Sequence, residues 1–320
     1  MNAERLKIRL NRTLRRIAAG PRLHRVDRHS IPPRNPGEVW LFMVCRNEAL
    51  RLPCMLEHHF RLGVTRVFLL DNASSDATTD LVRDDSRVHV YRTSQSFAGN
   101  KIAWQELLLR RHGIGHWNLV LDADELLAYP GMDSVPLPEY VRRLDAEGAE
   151  AIHALFIDMY SRGPIRQLRY APGQDLLAAA PWFDPDGYVK IPYRQVFGSG
   201  KGSTFVCMGG ARARAFGGEF GCSKIPLLKY RPGQFLRLGF HTIEGARLSS
   251  HQAAVLHFKY LQDFHEKVSR ESSRNVYWNG AAEYKAYAAL LEKNPDFTLW
   301  HPGAVRYESW RSLADAGLVF

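Results

Sequence analysis

Between residues 39 and 121, the short apolar runs VWLFMV, RVFLLD and WNLVL and a further strand-like segment, RVHVY, alternate with stretches of helical character. Runs of this length without a polar alternation read as strands buried on both faces. The punctuation between them is specific. Pro53 opens a helical stretch that reaches about Leu62, and Gly63 closes it. Ser75 or Asp76 is placed to cap a further helix through about Val82. KIAWQELLLRRHG is a third helix, ended by Gly113. The resulting β-α-β-α-β-α-β order predicts an α/β fold with a doubly wound, mostly parallel sheet, because each right-handed crossover lays its helix on one face.

In such sheets ligands bind beyond the carboxyl ends of the strands. That rule selects Arg46, Asn47 and Glu48 after the first strand, Asp71 and Asn72 after the second, and Asp122, Asp124 and Glu125 after the fourth. Three acids within four residues at the end of a buried strand repel one another unless a cation is present. A hard divalent ion, Mn²⁺ or Mg²⁺, suits carboxylate oxygens together with phosphate oxygens and water. The Asp-x-Asp turn therefore predicts a metal held by Asp122, Asp124 or both, with Glu125 either a supporting acid or a cap.

Charge is unevenly spread. Residues 1–29 hold nine arginines and lysines against two acids, so of the chain's net +10 only about +3 falls on the other 291 residues. A basic and aromatic face of the kind that grips nucleic acid is not expected outside that arm. Within the arm Leu6, Leu10, Leu14 and Ile17 recur at helical spacing, which suits either a helix on an anionic membrane surface or a frayed solvated terminus. No apolar run is long enough to span a bilayer and no signal-peptide core follows the basic start, so a cytoplasmic location, peripheral at the inner membrane face, is expected. Cys45, Cys54, Cys207 and Cys222 form no CxxC pair and read as reduced, packed thiols, with no disulfide and no structural zinc.

The ordered motifs from Val39 to Pro130, CRNEALRLPCMLEHHFRLGV, FLLDNASSDATTDLV, FAGNKIAWQELLL and WNLVLDADELLAYP, resemble the family 2-like glycosyltransferases with the nucleotide-diphospho-sugar transferase (glycosyltransferase A) fold. The resemblance implies a metal-assisted transfer from a nucleotide-sugar donor, UDP-linked, to a glycan or lipid-linked acceptor, as in polysaccharide biosynthesis. It implies a Rossmann-like nucleotide-sugar-binding half over residues 37–130 and an acceptor-facing half over 131–260. These sit between a basic arm and linker, 1–36, and a helical C-terminal extension, 261–320. By the same resemblance Asp71 holds the base or ribose, Arg46, Asn47 and Glu48 close over the uridine side, and Asn72 and Lys101 line the donor site. Asp122 meets the sugar nucleotide, and a distant histidine, His257 or in competition His241, is the third metal ligand or phosphate contact. His58 and His59 are expected to be structural.

Candidates for the general base are Asp158 at the end of AIHALFID, Asp184 and Asp186 in WFDPDGY, and Glu219 in GGEFG; a strand end favours Asp158. Two rival readings exist. In a haloacid-dehalogenase-like phosphatase the acid pair normally ends the first strand and precedes Thr or Val, whereas here three strands come before it and Glu125 follows. A non-catalytic nucleotide- or membrane-surface-binding protein leaves the acid cluster without a purpose.

Overall fold

The computed structural model describes residues 3–193, 195, 205–237, 239–274 and 278–320. Seven strands precede residue 160: β1 (His24–Arg25), β2 (Val39–Cys45), β3 (Val64–Asp71), β4 (Val88–Arg92), β5 (Trp117–Val120), β6 (Glu125–Ala128) and β7 (Ala151–Asp158). Then follow β8 (Trp182–Phe183), β9 (Tyr188–Pro192), β10 (Phe205–Gly209), β11 (Ser223–Lys229), β12 (Phe235–Arg237), β13 (Thr242–Glu244), β14 (Leu248–His257) and β15 (Val305–Arg306). Nine of them form one sheet in the order β1-β4-β3-β2-β5-β11-β7-β14-β6, and the others pair as three two-stranded ribbons.

The α/β class expected from the sequence is the observed one. β4, β3, β2 and β5 are parallel neighbours. β11 runs antiparallel to both β5 and β7, which makes β7 parallel to β5, and β14 is parallel to β7. Six strands therefore end on the same edge, while the antiparallel β11 and β6 begin there.

Helix α3 (Lys101–His112) covers one face, with α1 (Ala3–Ala19) packed on α3, and α2 (Leu52–Leu62) and α4 (Leu137–Ala146) cover the other. The pleat sorts the side chains between them. Val39, Leu41 and Met43 of β2 join the core under α2 and α4, whereas Trp40, Phe42 and Val44 pack with Trp104 and Leu108 of α3. A strand buried on both sides needs apolar residues at every position, which is why VWLFMV shows no alternation.

The expected boundaries hold for α2, which carries Pro53 in its first turn and ends at Gly63 with φ +103°. At that angle any side chain would be strained, and a Cβ would also stand 2.7 Å from Pro138 Cδ. The helix expected after Ser75 or Asp76 is reduced to a single 3₁₀ turn, Asp80–Val82. Asp76 accepts hydrogen bonds from the Thr78 and Ala49 backbone amides, 3.0 and 3.1 Å, so its carboxylate ties two loops together instead of capping a helix. The predicted C-terminal helices are present as Phe264–Arg274 and Trp278–Lys293; Asn275, at the end of the expected first helix, lies outside the described residues. All four cysteines are free and buried. No helix among the described residues is long and apolar enough to cross a membrane.

Candidate functional site

The edge shared by the strand ends gathers residues far apart in sequence. Asp71 ends β3, Asp122 follows β5, Asp158 ends β7 and His257 ends β14; Glu125 and Lys224 stand at the starts of β6 and β11. The register places His257 opposite Asp158 on one side and Glu125 on the other. Asp124 is fixed beside them because its carbonyl accepts the Phe258 amide at 2.8 Å.

His257 links two acids. Its Nδ1 donates to Asp158 Oδ1 at 2.7 Å and its Nε2 stands 3.3 Å from Asp124 Oδ2. Burial works against a charged imidazolium, yet the two flanking carboxylates outweigh it and hold the histidine pKa above its ordinary value. Asp158 is buried, and Arg212 donates to its other oxygen at 2.8 Å. Burial opposes ionisation of Asp158, but Arg212 and His257 prevail and hold its pKa low. Asp124 is likewise held well below the usual carboxylate range: burial is overcome chiefly by His257.

Asp122 forms the neighbouring half. Lys101 Nζ donates to its Oδ2 at 2.6 Å and Lys224 Nζ lies 3.8 Å from the same oxygen, while Oδ1 is buried without a hydrogen-bond partner. These two ammonium groups, Lys101 first, outweigh burial and lower the Asp122 pKa. Lys224 also donates to Glu125 Oε1, and the Glu125 carboxylate accepts the Asp122 amide at 2.9 Å, closing the turn. Burial alone would discharge Lys224, but Glu125 and Asp122 keep its pKa raised. Glu125 is thus the acid that braces the turn from within.

The two loops on the β2 and β3 side are locked to each other. Asn47, at φ 55°, donates its amide to Ser74 Oγ at 2.9 Å and accepts the Ser75 amide at 2.8 Å; the adjoining Ala73 also has a positive φ, 54°. Asp71 is buried, accepts the Ser74 amide at 3.0 Å and pairs with Arg92 at 3.2 Å. Asn72 spends its side-chain amide on the Thr93 and Gln95 carbonyls, 3.2 and 2.9 Å, and leaves a buried oxygen unpartnered. Arg46 is exposed, whereas Glu48 turns inward to Lys267 at 2.9 Å and Arg51 at 3.5 Å.

The structure brings Asp122, Asp124, Lys101, Asp158 and His257 together. Asp184 belongs to a separate cluster with Tyr160, Arg214 and His301, its Arg214 contacts being 2.7 and 3.1 Å. Glu219 is exposed and makes no side-chain hydrogen bond or ion pair among the described residues; Asp186 is exposed as well. His241 Nδ1 donates to the Ser223 carbonyl at 2.5 Å, and burial lowers its pKa to about 4, so it is neutral. His58 and His59 hold β6 through Leu127, at 2.9 and 3.2 Å, in the structural role expected of them.

Sequence reasoning missed four cations, Lys224, Arg51, Lys267 and Arg212. Lys224 lies in SKIPLLK, where Pro226 argues against a central strand; β11 accommodates it at a register shift between Lys224 and Leu227. Arg51 is completely buried and forks onto Asp263 with two 2.7 Å bonds while its Nε donates to the Phe258 carbonyl at 2.8 Å. A lone arginine inside a helix start carries no sequence signal of that kind.

No family model matches the chain, and no curated protein matches it. Among solved structures it is similar to a mannosyltransferase from Pyrobaculum calidifontis in complex with GDP-Man and Mn²⁺, with 20% identity, 46% of this chain and 43% of that one covered, and a TM-score of 0.30. It is also similar to a 4-diphosphocytidyl-2C-methyl-D-erythritol synthase, with 13% identity, 43% and 65% coverage and a TM-score of 0.26. A UDP-glucose pyrophosphorylase from Acinetobacter baumanii shows 11% identity, 41% and 58% coverage and a TM-score of 0.26. The chain spans less than two thirds of the length of each of these proteins.

Proposed function

We propose that this chain transfers a sugar from a nucleotide-diphosphate donor, UDP-linked by the family resemblance, to a saccharide or lipid-linked acceptor, assisted by Mn²⁺ or Mg²⁺. The observation that carries the reading is the Asp124–His257–Asp158 alignment next to the Asp122 turn, assembled from four strand ends on the ligand-binding edge of the sheet.

The residues present fit a hard divalent ion of low protein coordination. Asp124 Oδ2 and His257 Nε2 face each other at 3.3 Å, and Asp122 Oδ1 is a buried acceptor with no partner. Among the described residues no group of three or more His, Cys, Asp or Glu is arranged to hold a metal by itself. Mg²⁺ and similar ions usually take one or two carboxylates and complete their shell with phosphate and water, so a site with few protein ligands suits a cation that arrives with a diphosphate. When bound, the cation would neutralise charge developing on the leaving nucleotide.

The chain's own groups divide the remaining work. Asp158, with both oxygens engaged, acts through His257: it fixes the ring so that Nε2 faces Asp124, the pattern by which a carboxylate orients a metal-binding histidine. Lys101 presents its half-buried ammonium beside the turn, suited to diphosphate oxygens, while Lys224 supports the turn from beneath through Glu125. Asp71, buried at the end of β3, is the acceptor for the base or ribose. Of the acids considered for deprotonating the acceptor, Asp186 and Glu219 are open to solvent, whereas Asp158 and Asp184 are buried and paired.

Calorimetry with UDP and GDP, with and without Mn²⁺, on the wild type and on Asp124→Asn tests the reading. Nucleotide binding that requires Mn²⁺ and is lost in the variant is expected. Metal-independent binding untouched by the variant, or no nucleotide binding at all, overturns it. Release of free nucleotide diphosphate from a panel of nucleotide sugars then identifies the donor.

A further inference from the structure

Amphipathic helices ordinarily pack their apolar face against the protein and show their polar face to water. Helix α1 does the reverse. Its arginine side is the one that docks: Arg12 and Arg16 pair with Glu106 of α3 at 3.0 and 3.2 Å, Arg12 also donates to the Leu236 carbonyl at 2.5 Å, and Arg9 donates to the Gly233 carbonyl at 3.2 Å. The Arg9 and Arg12 guanidiniums lie over the Phe235 ring, 5.0 and 4.8 Å from its centre. The opposite side carries Leu6, Leu10, Leu14 and Ile17, which are 53%, 59%, 57% and 65% exposed. At helical spacing these four form one continuous apolar ridge held away from the body of the protein.

We infer that this ridge is a membrane-docking surface, and that its partner is an anionic lipid bilayer. Charge selects that occupant. Lys7, Arg22 and Arg28 are exposed on the same arm, and the acids within it are few, Glu4 and Asp27. A second copy of the chain laid on the ridge would bring these cations against their own kind, which costs rather than stabilises. An anionic headgroup layer attracts them while the acyl boundary takes up the leucines, the arrangement of a helix lying in the interfacial plane. Anchoring through Glu106 matters because the ridge is then rigidly attached to α3, whose first residue, Lys101, contacts Asp122. Membrane docking would thereby hold the strand-end site at a set height above the bilayer, within reach of a lipid-linked acceptor. The inference does not depend on the donor chemistry proposed above, and nucleotide binding by the same variant reports on that chemistry separately.

The test is flotation of the full chain with vesicles of pure phosphatidylcholine and of phosphatidylcholine mixed equally with phosphatidylglycerol. Wild type is expected to float with the anionic vesicles only, and less so as salt is raised. Leu10→Ser, Leu14→Ser and Ile17→Ser together lie outside the core, so the variant should keep its circular dichroism and nucleotide binding while partitioning falls roughly 100-fold. Equal flotation of variant and wild type, absence of flotation with either vesicle, or a wild-type dimer that the variant abolishes would each overturn the inference.

Discussion

His257 Nδ1 lies 2.7 Å from Asp158 Oδ1, and that one bond decides which ring nitrogen remains to face Asp124. With Nδ1 committed to donate, Nε2 is either a second donor, when the ring is charged, or a lone pair, when it is neutral. Only the neutral ring can hold a metal.

The pH dependence follows with a definite sign. The folded-state pKa of His257 is raised, so its favourable pairing contributes stability in full below the unfolded value, about 6.5, and loses it as pH rises through the folded value. The melting temperature of metal-free protein should carry a His257-dependent fall across that window. Mn²⁺ affinity should move the other way, rising about tenfold per pH unit below the raised pKa, where one proton must leave, and levelling above it. Isothermal titrations of wild type and His257→Asn at a series of pH values check both; an equally steep profile in the variant would contradict the assignment.

Asp158→Asn separates positioning from direct chemistry. Removing the charge takes away one of the two carboxylates that raise His257, so the midpoint of the Mn²⁺ pH profile should shift to lower pH. An Asp158 acting directly on the acceptor would in addition lower kcat at saturating Mn²⁺ and at pH above the midpoint, where positioning of His257 alone predicts little change.

Lys224 braces the acidic turn from beneath. Lys224→Met leaves Glu125 buried without its cation, a loss of about 3–5 kcal/mol expected for breaking a buried pair. Glu125→Gln in the same chain retains an acceptor for the Asp122 amide and should recover a large part of that stability. Urea unfolding of the two single variants and the double variant measures the coupling.

Arg51 joins the β2 loop to the chain beyond β14. Arg51→Lys keeps the charge but cannot reproduce two bonds to Asp263 together with the Phe258 carbonyl, so it should destabilise by about 1–3 kcal/mol. Thermal unfolding reads the loss, and Asp263→Asn in the same background should add little to it.

Asp71→Asn should weaken nucleotide binding by about 10- to 100-fold, the value of a hydrogen bond to a charged group, and by the same factor with and without Mn²⁺. A metal-dependent ratio would place Asp71 on the diphosphate side instead.

Much of this arrangement is legible in the residues themselves. VWLFMV, RVFLLD and WNLVL announce buried strands by composition, and the carboxyl-edge rule then marks Asp71, Asp122 and Asp124 without any knowledge of partners. Pro53 and Gly63 announce the limits of α2 because each restricts the backbone locally. The turn after Asp76 misleads for the complementary reason: an acid suited to cap a helix is drawn to the Ala49 amide, 27 residues away in sequence.

What the sequence by itself determined is therefore the class of fold and the edge where the acids gather, since periodicity, strand composition and turn residues act over a few neighbours. Which acids are paired, and with what, was decided only by tertiary structure. Insertion of β11 between β5 and β7 brings Lys224 under Glu125, the β7–β14 register sets Asp158 against His257, and Glu106 turns the leucines of α1 outward. Each of these contacts closes over scores of residues, and a residue's own pattern reports that it is buried without specifying which distant partner buries it.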